Sequence, residues 1–163
     1  MAEKKSGISY EQIIKDLKAR KFAPVYVLMG DESFYIDKIC DFISENVLKP
    51  EEQDFNQTVV FGADVNAMQV VDMCKGYPMM AEFRVVVVKE AQNLRNLEPL
   101  EKYLQNPVKT TILVLCHKNG SIDRRKKFIP QAEKVGVVFE SKKLYDRQLP
   151  GFMKLTSRAE SLQ

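Results

Sequence analysis

The chain has 163 residues, 45% apolar and 29% charged, a make-up that fits one well-formed globular core and excludes a disordered or fibrous protein. Its 25 basic and 22 acidic side chains leave a net charge of +3, too weak a field to mark a nucleic-acid binder by itself. No run of about 18 apolar residues is present to cross a membrane. The opening residues MAEKKSGISYEQ set no apolar stretch behind their charges, so they do not read as a signal peptide.

The first predicted helix runs from Ser9 to Lys21. Ser9 can cap it, Gln12 stands at the capping-box position, and Ile13, Ile14 and Leu17 form an apolar stripe. After Pro24, Val25-Tyr26-Val27-Leu28-Met29 reads as a short buried strand. Gly30 turns the chain into a second helix, Ser33 to Leu48, with Ile36, Ile39, Cys40 and Ile43 on one side. A strand is expected at Thr58 to Phe61, then a helix at Asn66 to Lys75 with Met68, Val71 and, beside them, Val70 directed inward. Val85 to Val88 is a run of β-branched residues that suits a central strand covered on both faces. A short helix at Glu98 to Gln105 and a buried strand at Thr111 to Cys116 follow. Arg124 to Lys134 reads as a helix interrupted by Pro130, and Gly136 releases the chain into a last strand, Val137 to Phe139.

Strands alternating with helices at this spacing specify an α/β fold, a parallel sheet sandwiched by helices. Residues 1–143 are expected to form this domain. A polar link then leads into the start of a new helix, which reads as the opening of a further domain cut short. A terminal helix docked on the first domain is the alternative.

The cysteines Cys40, Cys74 and Cys116 match no CxxC or zinc spacing and read as small buried hydrophobes of a reducing cytosol. The single histidine, His117, has no carboxylate pair around it, so neither a metal site nor a catalytic triad is expected. No cofactor is implied.

Strand, glycine, short loop and helix at Val25 to Ile39 follow the layout of a P-loop NTPase, in which GxxxxGK and a Ser or Thr cradle the phosphates. Here Gly30 is followed by Asp31-Glu32-Ser33-Phe34, and then Tyr35 stands where the second glycine belongs. Ile36 replaces the phosphate-binding lysine and Asp37 the magnesium-binding hydroxyl. Asp31 and Glu32 would repel phosphate; they read as helix-start residues rather than as an acid–base pair. Lys89-Glu90, after the valine strand, puts a cation where an ATPase holds its magnesium with acids. The layout is kept and the chemistry is lost.

Together PVYVLMGDESFYIDK (Pro24 to Lys38), GYPMMAEFRVVVVKEAQNL (Gly76 to Leu94), TTILVLC (Thr110 to Cys116) and VVFESKKLYDRQLPGF (Val137 to Phe152) resemble the delta subunit of bacterial DNA polymerase III, in its N-terminal AAA+-like domain. The resemblance spans nearly the whole chain. It implies a clamp-loader subunit without its own ATPase, part of a nucleotidyltransferase assembly. Such a subunit opens the ring-shaped sliding clamp, the beta subunit, so that other loader subunits place it on primed DNA. It also implies that residues 144–163, from Leu144 on, begin a small helical second domain. The cysteine usage and the N-terminus separately give the expectation of a cytoplasmic location.

In that family an exposed apolar pair inserts into a clamp pocket, in a motif running Leu-Pro-Phe-Phe, a small residue, an acid and two bases. The pair falls here on Met79 and Met80, after Tyr77 and Pro78, with Phe83 where a basic residue is common. Taken alone, the two methionines read as a core turn between helix and strand, although Pro78 suits a turn that holds them outward. Phe83 is counted with them as a candidate clamp contact.

The basic cluster Arg124, Arg125, Lys126 and Lys127 reads first as a solvated helix face and second as a contact to DNA or another loader subunit. Two rivals to the interaction-module reading stand beside it. One is an atypical nucleotide-dependent enzyme with a degenerate loop, the other a DNA binder acting through the basic patch.

Overall fold

A strand of alternating geometry can bury four successive side chains only when both faces of its sheet are covered, and Val85 to Val88 are all fully buried. In the computed structural model, which describes residues 8–142, these valines form β3 (Arg84–Lys89). It lies in one sheet with β1 (Val25–Gly30), β2 (Gln57–Phe61), β4 (Thr111–Lys118) and β5 (Val137–Ser141). The five strands are all parallel, in the order β2-β3-β4-β1-β5. Val27 of β1 stands opposite Leu115 of β4 and Val138 of β5, and Val87 opposite Val59 and Val114.

Parallel neighbours need crossover connections, and the helices that make them, joined by the helix that precedes β1, supply the two outer layers. On one face α1 (Tyr10–Lys18) and α2 (Ser33–Asn46) bury Ile13, Leu17, Ile36, Ile39 and Ile43 against Tyr26, Leu28, Val85, Val87, Ile112 and Val114. On the other, α4 (Ala67–Cys74), α5 (Glu98–Tyr103) and α6 (Phe128–Val135) pack on Val25, Val27, Val86, Val88, Leu113 and Leu115. The connection leaving β1 runs toward β2, whereas the one leaving β4 passes β1 to reach β5. The carboxyl ends of β1 and β4 therefore flank the switch point of the sheet, the place where open α/β folds bind ligands.

Three features depart from the expectations. First, a helix α3 (Pro50–Asn56) was not anticipated, because PEEQDFN has no apolar stripe. It is set by Pro50 at its start and by the Glu52 carboxylate, which accepts the Lys49 N–H at 2.9 Å. Second, Met68 is not an inward residue: it is 54% exposed. The Asn66–Gln69 capping box starts α4 at Ala67, so Ala67, Val70, Val71 and Cys74 take the buried i, i+3, i+4, i+7 positions. Third, the basic cluster is not helical. Helix α6 begins only at Phe128, so Pro130 falls in its first turn, where no intrahelical donor is required, and interrupts nothing. The expected helical segment from Leu144 lies outside the described residues.

Helix α4 is fastened to the sheet by a buried hydrogen bond. The Thr111 hydroxyl, fully buried, donates to the carbonyl of Cys74, the last residue of the helix, at 2.7 Å. Thr111→Val keeps the shape and removes the donor, leaving that carbonyl without this partner. Urea unfolding is expected to show a loss of about 1–3 kcal/mol.

Candidate functional site

The loop after β1 is occupied by the protein's own backbone. Gly30 adopts φ +129, and its N–H donates to the Gly120 carbonyl at 2.8 Å. The Asp31 N–H donates to the Ser141 carbonyl at 2.9 Å, and the Glu32 N–H approaches the same oxygen at 3.4 Å. In a phosphate loop such amides would face the anion. Here they are consumed by the end of β5 and by the turn after β4. The approach is so close that a Cβ on Gly30 would lie 1.9 Å from the Ser141 oxygen.

The remaining positions of the degenerate loop are also committed. Glu32 caps α2, its carboxylate accepting the Phe34 N–H at 3.1 Å. Tyr35 packs its ring against Tyr10 and Phe34, with centroids 4.9 and 5.1 Å away. Ile36 is fully buried in the core, not facing the loop. Asp37 bonds the Lys118 ammonium at 2.7 Å. Partial burial works to lower the Lys118 pKa, and the hydrogen bond and charge of Asp37 outweigh it, so the ammonium is held above its ordinary value. At the end of β3, Glu90 sits in the left-handed region at φ 52 and accepts from Gln92 at 2.6 Å. Gln92 in turn accepts the Lys118 N–H at 2.9 Å.

The cysteines are free and buried, and burial pushes the Cys74 thiol up to about 12. His117 lies 3.3 Å from the Gly120 carbonyl, and burial holds its imidazole below the ordinary value. Among the described residues, no cluster of His, Cys, Asp and Glu can hold a metal and no helix is long and apolar enough to cross a membrane.

The basic cluster divides into parts with different roles. Arg124 bonds Glu133 and Glu140, both at 3.1 Å, and so braces the turn against α6 and β5. Burial raises the Glu140 pKa, but hydrogen bonds from Ser121 and Arg124 outweigh it and leave the carboxyl below its usual range. Arg125 pairs with Asp123 at 3.0 Å. Lys126 and Lys127 are exposed. With Arg125 they border a cleft of about 640 Å³ that Glu98, Glu101 and Asp123 also line, so its charge is mixed.

The methionine pair lies at the opposite end of the sheet, in the turn from α4 into β3. Tyr77 is 74%, Met79 60% and Met80 98% exposed, so the turn is not part of the core. Met80 occupies the left-handed region at φ 57, uncommon for a residue with a long side chain. The buried Asn56 holds Met79 from both sides, accepting its N–H at 2.6 Å and donating to its carbonyl at 2.9 Å. Phe83 is half-buried and edge-on to Phe22, with centroids 5.3 Å apart. Asn56 was missed because α3 has no apolar stripe; Pro50 followed by Glu51 and Glu52 was the start signal that could have found it.

The family model of the DNA polymerase III, delta subunit matches residues 26–142. The chain belongs to that family. It is 29% identical over 148 residues to DNA polymerase III subunit delta of Bacillus subtilis (strain 168), covering 85% of this chain and 43% of that protein. The solved Bacillus subtilis DNA clamp loader delta protein superposes with a TM-score of 0.76 at 26% identity, over 93% of this chain and 48% of that one. A DNA polymerase III gamma subunit-related protein of Thermotoga maritima, at TM-score 0.51 and 14% identity over 93% of this chain and 50% of that one, shares the fold alone. This delta-family chain thus has the α/β, AAA+-like fold expected from its sequence, and it spans less than half the length of the delta relatives it matches.

Two measurements check the closed loop. Isothermal titration with ATP and magnesium is expected to show no binding tighter than about millimolar, since the loop amides have no free direction for phosphate. Ile36→Lys, which restores the loop lysine in name, places a charge at a fully buried site. It is expected to cost about 3 kcal/mol or more of stability and to create no nucleotide binding.

Proposed function

We infer that this chain is the non-catalytic clamp-binding part of a delta subunit, and that Met79 and Met80 are its anchors on the sliding clamp. The observation that carries the reading is the exposure of two adjacent methionines on a turn whose backbone is fixed from inside the fold. Exposed apolar pairs cost solubility, and burial in a partner's pocket removes that cost. Large side chains at the centre of an interface dominate its affinity, and the unbranched thioether adapts to an irregular pocket.

In this reading the chain binds and opens the ring-shaped clamp, the beta subunit, during replication in the cytoplasm. Neighbouring loader subunits supply nucleotide hydrolysis and deliver the ring to primed DNA. The chain then contributes to a DNA-polymerizing, nucleotidyl-transferring assembly without carrying catalytic residues itself. Arg125, Lys126 and Lys127 are the outward part of the basic cluster and the residues through which it would touch DNA or another subunit. The rival reading, an enzyme with an atypical nucleotide loop, is opposed by the carbonyls already bound to the loop amides.

Met79→Ala with Met80→Ala is expected to weaken binding to the sliding clamp by at least about 30-fold, or about 2 kcal/mol. The same variant is expected to unfold within about 0.5 kcal/mol of the parent, because both side chains are mostly in solvent. Parent-like clamp affinity in surface plasmon resonance, or a destabilisation of several kcal/mol, would refute the assignment.

A further inference from the structure

Asn56 is 1% exposed, one of the few polar side chains buried among the described residues, and it ends α3 where β2 begins. Its carboxamide is almost fully used. Oδ1 accepts the Met79 N–H at 2.6 Å, and Nδ2 donates to the Met79 carbonyl and to the Glu52 carbonyl, each at 2.9 Å. The side chain thus pairs with one backbone residue as a neighbouring strand would, in a place where no strand is available.

The residue it fixes is half of the apolar pair. Holding Met79 at both its N–H and its carbonyl sets the direction in which the chain enters Met80, and Met80 completes the turn at φ 57 with its side chain 98% exposed. A left-handed methionine is unfavourable unless its surroundings impose the conformation. A turn ordered before binding also loses less freedom when it docks.

We propose that Asn56 is the positioning residue of the recognition turn, its carboxamide holding Met79 so that Met80 is presented to the clamp. This rests on the clamp-binding reading of the methionine pair and adds a residue that does not itself touch the partner. Phe83, close by in the chain, packs on Phe22, and the hydrogen bonds to the Met79 backbone come from Asn56.

The test uses Asn56→Asp, which keeps the shape and the acceptor but loses the donor, in the full chain with the sliding clamp as partner. In folded protein it is expected to weaken clamp binding at least about tenfold. Introduced into the Met79→Ala, Met80→Ala background, it is expected to change affinity less than about twofold, because its effect acts through the pair. Parent-like binding by a folded Asn56→Asp, or an equal loss in both backgrounds, overturns the proposal while leaving the methionine reading intact. If removing the methionines leaves binding unchanged, the clamp reading itself falls.

Should the variant fail to fold, the unaltered protein still decides. Amide exchange is expected to be at least about tenfold slower at Met79 than at Met80. Equal exchange at the two amides overturns the brace.

Discussion

Burial of both faces of β3, β4 and β1 is the constraint to which the rest of the molecule answers. A parallel sheet of this kind needs a helix on the way from each strand to the next, and those helices must divide between two layers. Once α1 and α2 occupy one face and α4, α5 and α6 the other, the loops collect at the two ends of the sheet. The carboxyl ends of β1 and β4 then create a crevice. The amino end of β3 receives the turn carrying Tyr77 to Ala81.

The two ends have been put to different uses. At the carboxyl end the loop glycine serves a backbone contact: Gly30 admits the Ser141 carbonyl where a side chain would collide. That contact, with the Gly120 carbonyl and the Lys118–Asp37 pair, makes the crevice a joint between β1, β4 and β5. At the amino end polar material is drawn inward and apolar material left outside, the reverse of ordinary folding preference. Asn56 is buried and Met80 is in water. Such an inversion is maintained only by specific hydrogen bonds, and the Asn56 carboxamide supplies three.

Much of the fold was legible because its signals are local and strong. The valine run of β3, the apolar β1 and β4, and the cap at Ser9 each identify an element from a few neighbouring residues. What escaped was decided by phase or by distance in sequence. Met68 was assigned inward because the starting point of α4 was not fixed, and a shift of one residue moves a side chain about 100° around a helix. Helix α3 lacks an apolar stripe, so periodicity is silent there. The Arg124 cluster looked helical because its residues are good helix formers, but Arg124 is spent on Glu133 and Glu140. For the loop, Tyr35, Ile36 and Lys89 show the departure from the nucleotide-binding pattern in the sequence itself. That Ser141 fills the vacated space depends on a sheet neighbour far along the chain. The family motif pointed to Met79 and Met80, whereas no motif pointed to Asn56, whose role exists only once α3 and the turn meet.

The use of methionine at the turn has a chemical consequence. Oxidants convert a thioether to a sulfoxide, adding a polar oxygen and a new stereocentre, and they act on what solvent can reach. Met29, fully enclosed between the sheet and its helices, is shielded, while Met80 is almost entirely open. Mild peroxide would therefore alter the turn before the core, turning its apolar tip polar in a molecule that remains folded. A reductase acting on the sulfoxide would restore the tip, so the choice of sulfur over an aromatic ring makes this surface reversibly sensitive to oxidative stress.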